Sequence, residues 1–166
     1  LAAYDLKDLS LCGHSMGGLI ALDMVLNHNF AAKELILVNS IYPTRVADAL
    51  LAKAKVGNGG AANFIIKYGL YRRLLGMRNA FSEADDLVML DDLDACNNYE
   101  LDLNDIKNVE IPISIILGSK DRLVDLKAVE NFTDIVPSQT YMMDEVGHFS
   151  FFEDPVELSR LISKII

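Results

Sequence analysis

Cysteine is scarce in this sequence, which excludes a fold held together by disulfides. Only Cys12 and Cys96 occur among the 166 residues, and two cysteines make no disulfide framework. Both are interpreted as small buried hydrophobic residues of a protein from a reducing compartment. Residues 1–7 also lack a basic segment followed by an apolar stretch, the pattern of a signal peptide. We therefore expect a cytoplasmic protein.

Long apolar runs and basic clusters are missing as well, and each absence excludes a class of function. Although 51% of the residues are hydrophobic, no run approaches the roughly 20 apolar residues that span a bilayer, so no membrane span is expected. Lysine and arginine total 15 against 24 aspartates and glutamates, a net charge of −9. Because clustered basic residues drive binding to nucleic acid, nucleic acid is excluded as a partner. Nothing in the sequence indicates the oligomeric state.

The acidic residues are dispersed except in one stretch before residue 95. Such a group is typical of a solvated helix face. No histidine or cysteine joins it in a metal-ligand pattern, so a metal site is not expected there. The stretch contains Glu83, Asp85, Asp86, Asp91, Asp92 and Asp94.

Four short apolar runs bounded by turn residues predict β-strands at 9–12, 35–38, 113–117 and 140–143. Three of them are apolar almost without alternation, as expected for parallel strands covered on both faces. Helices are predicted between and after them, and this order predicts an α/β fold with a mostly parallel sheet flanked by helices. The helices are placed at 17–28, at 126–135 and from Pro155 onward, the last with Asp154 as N-cap and a core face of Val156, Leu158, Leu161, Ile162 and Ile165.

The region between the second and third strands breaks this alternation. Residues 42–105 show no strand pattern and predict three helices, at 44–56, 62–75 and 82–96, with Ser82 as a candidate N-cap of the last. An all-helical insertion of this size is either a lid over a site or a surface addition. Its larger apolar side chains either line a substrate pocket or form the core of the insertion; the candidates are Phe64, Tyr68, Leu70, Met77 and Phe81.

Gly13-His14-Ser15-Met16-Gly17-Gly18 follows a predicted strand and precedes a predicted helix. In that context G-x-S-x-G predicts a nucleophile elbow, a strained turn that lifts the serine hydroxyl off the sheet. A side chain at either Gly13 or Gly17 is expected to collide with neighbouring backbone. Ser15 is the candidate nucleophile, and the Met16 backbone N–H at the helix N-terminus is a candidate oxyanion donor. The alternative is a glycine-rich turn that merely contains a serine.

A serine nucleophile needs a base, and the base needs an orienting acid. Asp121 follows the third predicted strand, and His148 follows the fourth. Both would stand at the carboxyl edge of the sheet, where open α/β sheets build their sites. The alternatives are a turn aspartate beside Arg122 and a structural loop histidine.

Four other residues compete for these roles. Asp125 has the position of an N-cap for the helix that follows it, and Asp144 stays open as an alternative acid because it is near His148 in sequence. His14 adjoins the serine in a tight turn and is expected to point elsewhere. His28 closes a helix, where a cation suits the helix dipole without any catalytic role.

Together these residues resemble the α/β-hydrolase family, in particular its lid-bearing esterase, lipase and C–C hydrolase branch. The matching stretches are LSLCGHSMGG, IPISIILGSKDRLV and VGHFSFFEDPVEL, and the chain order Ser, Asp, His is that of the family. The resemblance implies Ser15, Asp121 and His148 as a catalytic triad. It also implies three parts: the elbow part of the core at 1–41, a helical lid at 42–105, and a core part with the acid and histidine at 106–166.

The resemblance further implies that part of the fold lies outside this sequence. The family normally begins with about four more strands and two helices, including a loop that supplies a second oxyanion N–H. The sequence starts at Leu1 rather than at a methionine, and Ser15 comes within the first 15 residues. We therefore expect the C-terminal part of an α/β-hydrolase fold, inactive by itself.

The expected activity is hydrolysis of a carboxylic ester of a small or medium apolar substrate through an acyl-enzyme. Neither a metal nor an organic cofactor is required. Thioesters, lactones, amides and carbon–carbon bonds of the β-diketone type are alternative substrates of the same triad, because fold does not determine substrate. A ligand-binding protein that does not catalyse, and a catalytically dead fragment, are the alternatives from other classes.

Overall fold

Four parallel strands form one sheet in the order β1-β2-β3-β4. The computed structural model describes residues 8–28, 30–72, 85–106 and 109–166, and within them the strands are Ser10–His14 (β1), Glu34–Val38 (β2), Ile113–Gly118 (β3) and Gln139–Met143 (β4). Every neighbouring pair is parallel, with His14 opposite Val38, Val38 opposite Ile116, and Gly118 opposite Met143. The predicted parallel α/β sheet is confirmed, and the carboxyl ends of all four strands meet at one edge.

Helices cover both faces of this sheet. Along β2, Leu35 and Leu37 pack on one face, and Ile36 and Val38 pack on the other. The first face is covered by helices α1 (Met16–Leu26) and α6 (Leu126–Ile135), and the second by α8 (Pro155–Ile165), which follows the short helix α7 (Ser150–Glu153). In the described ranges, every helix falls short of the length and apolar character that a membrane crossing requires.

The last helix begins as predicted but does not bury every predicted residue. Asp154 accepts a hydrogen bond from the Glu157 backbone N–H at 3.0 Å and so caps α8. Leu158 and Leu161 are buried, but Val156 is 79% exposed. The prediction for Val156 is wrong because residues two positions apart do not share a helix face.

The two edge strands are less covered than β2 and β3. All six residues of β3 are buried, whereas β1 and β4 each have exposed positions. Cys12 is exposed because it alternates with Leu11, whose side chain packs on the α1 side of the sheet. Cys96 is half-buried in a helical cluster. The prediction that both cysteines are buried is therefore wrong for Cys12.

Every described secondary-structure element between β2 and β3 is a helix, as predicted, but the bounds of the helices differ from the prediction. Helix α2 starts later than predicted, and α3 ends at Gly69, where the chain turns extended at Leu70. The next described helix is capped by Asp85, which accepts from the Leu87 N–H at 2.8 Å; the predicted cap Ser82 lies outside the described residues, as do Met77 and Phe81. The helices are α2 (Asp48–Val56), α3 (Gly60–Gly69), α4 (Asp86–Asn97) and α5 (Leu103–Ile106).

Within the described residues, most of the acidic stretch is solvated, but Asp86 is buried. Asp91 and Asp92 are exposed on α4, while Asp86 is only 5% exposed. One oxygen of Asp86 accepts from the Gly59 N–H at 2.6 Å, which ties the start of α4 to the turn between α2 and α3. The expectation is thus wrong for Asp86, and Glu83 lies outside the described residues. Where the chain is described, no three His, Cys, Asp or Glu side chains gather as metal ligands would.

Candidate active site

Ser15 occupies the turn between β1 and α1 in a strained conformation. Its φ is 51° and its ψ is −122°, outside the common regions for a residue with a side chain. The Ser15 N–H donates to the Val38 carbonyl at 3.0 Å, and the Ser15 carbonyl accepts from Gly18 N–H at 2.9 Å and from Ser40 Oγ at 2.7 Å. The turn is thereby fixed to the end of β2, with Ser15 at the N-terminus of α1, as the elbow motif predicts.

The glycines of the motif are not equally constrained. A Cβ at Gly13 would lie 2.1 Å from the Gly17 carbonyl oxygen, so the expected collision is confirmed there. A Cβ at Gly17 would meet no heavy atom within 4 Å, so the expectation is wrong for Gly17. Gly18 is the second crowded position, because its Cβ would lie 2.4 Å from Ser40 Oγ.

Asp121 and His148 are in direct contact. His148 Nδ1 lies 2.8 Å from Asp121 Oδ2, and the two side chains are 7% and 2% exposed. Because a carboxylate oxygen accepts, Nδ1 carries the proton, and Nε2 is left as the basic nitrogen of the neutral ring. Loops that follow β3 and β4 bring these residues together at the carboxyl edge of the sheet.

The Asp121 carboxylate receives hydrogen bonds on both oxygens. Oδ1 accepts from the backbone N–H groups of Leu123 at 2.8 Å and Val124 at 3.2 Å, and Oδ2 also accepts from Asn39 Nδ2 at 3.0 Å. Burial raises the pKa of Asp121, but the hydrogen bond and charge of His148, with the bonds from Leu123 and Asn39, lower the pKa below its usual value. Asp121 is therefore a stable anion beside the imidazole.

Asn39 is a site residue that the sequence analysis missed. It is fully buried, and its φ of 46° is one that asparagine tolerates. Its amide nitrogen bonds Asp121 and the Gly147 carbonyl, and its Oδ1 accepts from Ser150 Oγ at 2.7 Å. The available signal was a polar residue directly after a buried strand, at the same edge as Ser15 and Asp121.

His14 contacts the loop that carries His148, so the expectation that it points elsewhere is wrong. Its Nε2–H donates to the His148 carbonyl at 2.7 Å, and the two ring centroids are 4.8 Å apart. Burial and the nearby His148 lower the pKa of His14 to about 4, although the bond to the His148 carbonyl and the charge of Asp121 act against them. His14 is thus a neutral hydrogen-bond donor near pH 7.

The two alternative acids, Asp125 and Asp144, make other contacts. Asp125 caps α6 by accepting from the Lys127 N–H at 2.9 Å, as predicted. Asp144 accepts from Ser119 Oγ at 3.3 Å in an exposed turn. Among the described residues, Asp121 alone bonds the His148 ring through a carboxylate. His28 pairs with Asp23 at the surface, beyond the end of α1.

A cavity of about 650 Å³ opens at this edge of the sheet. Ser15, Met16 and His148 line it together, while Ser15 Oγ makes no hydrogen bond to any described residue. Of the two alternatives for the larger apolar side chains, Phe64 and Tyr68 line the cavity, and Phe64 also packs against the helical core of the insertion. Leu70 does not line the cavity, because α3 has ended before it. The remaining wall is largely apolar and comes from α2, α3, α4 and nearby loops, including Ile41, Val46, Leu50, Ile65, Leu93 and Leu123.

Solved structures of hydrolases share this fold. An esterase from Exiguobacterium antarcticum is 19% identical with a TM-score of 0.86, covering 99% of this chain and 68% of that one. A thermophilic esterase is 24% identical with a TM-score of 0.85, covering 98% and 67%. The 2-hydroxy-6-oxo-6-phenylhexa-2,4-dienoate hydrolase from Rhodococcus sp. strain RHA1 is 14% identical with a TM-score of 0.75, covering 98% and 64%. At these identities the likeness establishes the fold, and this chain spans about two thirds of each of these proteins.

Similarity to a protein family extends over nearly the whole chain, although no curated protein sequence matches it. A model described as "Alpha/beta hydrolase family" matches residues 1–161. With the parallel sheet and the elbow turn described above, this match shows that the chain belongs to the alpha/beta hydrolase family.

Proposed function

We propose that this chain carries the catalytic triad of a serine hydrolase that cleaves carboxylic esters. The observation that carries the proposal is the buried contact of 2.8 Å between His148 Nδ1 and Asp121 Oδ2, at a cavity that Ser15 also lines. A buried carboxylate that fixes the tautomer of a histidine is the arrangement that activates a serine nucleophile.

In the proposed reaction, Ser15 Oγ attacks the acyl carbon while His148 Nε2 takes its proton. The tetrahedral intermediate collapses, the bond between acyl carbon and alkoxy oxygen breaks, and His148 returns the proton to the departing alcohol. Water then attacks the acyl-Ser15 ester by the reverse sequence and releases the acid. Asp121 remains ionised and stabilises the imidazolium in both steps. No redox or metal chemistry is required.

The Met16 N–H is proposed as one oxyanion donor. Met16 is the first residue of α1, so its N–H is not used within the helix and lies at the positive end of the helix dipole. One such donor contributes about 10²–10³ in kcat in enzymes of this type.

The substrate is proposed to have a small or medium apolar acyl or alcohol group, with residues 42–105 acting as a lid. The helices of this segment supply Leu50, Phe64, Ile65, Tyr68 and Leu93 to the wall of the cavity that holds Ser15. Esterases among the structural neighbours support ester substrates, while the hydrolase from strain RHA1 keeps carbon–carbon cleavage as the second candidate.

The experiment is turnover of p-nitrophenyl esters from acetate to dodecanoate by the protein that carries this chain. Ser15→Ala should lower kcat by at least about 10³-fold, whereas Ser159→Ala, on the exposed side of α8, should not change it. More than a tenth of the kcat remaining in Ser15→Ala would exclude Ser15 as nucleophile. Faster turnover of a vinylogous β-diketone than of any ester would replace ester hydrolysis with carbon–carbon cleavage.

A further inference from the structure

The end of helix α3 lies directly against the loop that carries His148. The His148 N–H donates to the Gly69 carbonyl at 2.6 Å. A Cβ at Gly147 would lie 2.3 Å from that same carbonyl oxygen, and a Cβ at Gly69 would lie 2.7 Å from the Phe149 ring. The two backbones touch with no room for a side chain at either glycine, so a shift of one segment must displace the other.

The Glu153 side chain also connects the loop that carries His148 to the residues that follow α3. Its Oε1 accepts from the Gly147 N–H at 3.0 Å, and its Oε2 accepts from the N–H groups of Tyr71 at 3.0 Å and Arg72 at 2.9 Å. Glu153 is buried, and a buried carboxylate is costly unless it is hydrogen-bonded. Its bonds to backbone N–H groups are charge-assisted and stronger than neutral ones. One carboxylate thus holds together segments about 80 residues apart in the sequence.

Helix α3 is also a wall of the cavity. Phe64, Ile65 and Tyr68 line the space in which Ser15 and His148 lie. Tyr68 is the residue before Gly69, whose carbonyl holds the His148 backbone. An acyl group that presses on this wall therefore acts one residue away from the segment that positions the base.

We propose that Glu153 is a positioning residue that couples the α3 wall of the acyl cavity to His148. The proposal rests on the function proposed above. A substrate whose acyl chain fills the cavity against α3 keeps His148 aligned with Ser15. The length of the acyl chain therefore affects kcat and not only KM. Glu153 itself touches no reacting atom.

The kinetic test compares Glu153→Gln with the wild type over p-nitrophenyl acetate, butyrate and octanoate. Glutamine keeps the size but replaces one acceptor oxygen with an NH₂ group, which faces N–H donors. We expect kcat for octanoate to fall about tenfold while kcat for acetate changes less than about threefold, because only the longer chain uses the wall to align the base. The control is Glu157→Gln, whose side chain pairs with Arg160 at the surface of α8. Glu153→Asp is the second variant, should Glu153→Gln fail to fold.

If Glu153 only stabilises the fold, Glu153→Gln gives a different result. The substitution would then lower the fraction of active protein, and kcat would fall by the same factor for every ester. That outcome overturns the coupling and leaves the esterase proposal intact. Hydrogen exchange with octanoate as the probe tests the coupling without turnover: added octanoate should slow exchange at 147–149 in the wild type and not in Glu153→Gln. If no ester is cleaved, the esterase proposal fails, and unchanged exchange at 147–149 in the wild type overturns the coupling by itself.

Discussion

The side-chain amide of Asn39 donates to Asp121 Oδ2 at 3.0 Å, the same oxygen that accepts from His148 at 2.8 Å. The other carboxylate oxygen is held by two backbone N–H groups. Three donors besides His148 therefore hold the plane of the carboxylate, and Asn39 is in turn held by Ser150. The orientation of the imidazole depends on residues that follow three of the four strands.

The first prediction concerns Asn39. Asn39→Ala removes one donor from Asp121 and leaves the carboxylate less constrained, so kcat for p-nitrophenyl butyrate should fall about tenfold with KM nearly unchanged. Asn27→Ala, which removes a surface amide that bonds Asp23, should have no effect on either constant. A kcat within twofold of the wild type would show that Asn39 does not position the acid.

The second prediction separates the candidate acids. Asp121→Asn should lower kcat by about three to four orders of magnitude, because an amide in place of the carboxylate favours the wrong tautomer of His148. Asp125→Asn and Asp144→Asn should change kcat far less, since one caps α6 and the other bonds Ser119 in an exposed turn. Steady-state kinetics of the three variants decides the matter. A large loss in Asp144→Asn alone would make Asp144 the acid.

The parts predictable from the sequence are those that local patterns determine. β2 and β3 were recognisable because both faces are buried, and Ser15, Asp121 and His148 were recognisable because each follows a strand at the same edge. The contacts of Asn39 with Asp121 and of Glu153 with Tyr71 and Arg72 join residues 81 or more positions apart. No local pattern predicts which of these buried polar groups meet. Strand order and helix packing decide those contacts. The crowding at Gly18 was unpredictable for the same reason, because it comes from the side chain of Ser40, which follows β2.

The third prediction compares the neighbouring glycines Gly17 and Gly18, of which only Gly18 lacks room for a side chain. Gly18→Ala should destabilise the protein by about 1–3 kcal/mol, because its Cβ would overlap Ser40 Oγ and Cβ. Gly17→Ala should be neutral or stabilising by up to about 1 kcal/mol, because alanine favours the helix and no heavy atom lies within 4 Å of its Cβ. Thermal unfolding of both variants tests this. Equal destabilisation by the two alanines would contradict it.

The fourth prediction is a loss of stability in mild acid caused by His14. Unfolded His14 takes up a proton at its ordinary pKa of about 6.5, whereas burial and the nearby His148 lower the pKa of folded His14 to about 4. The unfolded state therefore binds more protons between these values, so the stabilisation is complete above pH 6.5 and is lost as the pH falls toward 4. His14 is partly exposed, which limits the effect to about 2 kcal/mol. Urea unfolding at pH 7.5 and 4.5 measures this loss of stability.

The variant that tests the role of His14 is His14→Gln, which keeps an N–H donor for the His148 carbonyl but does not titrate. Its free energy of unfolding should therefore fall less between the two pH values than that of the wild type. His28→Gln, which removes a side chain that is 70% exposed, is the matched control and should behave like the wild type. An equal loss in His14→Gln and the wild type would mean that other groups, such as Asp121, cause the acid sensitivity.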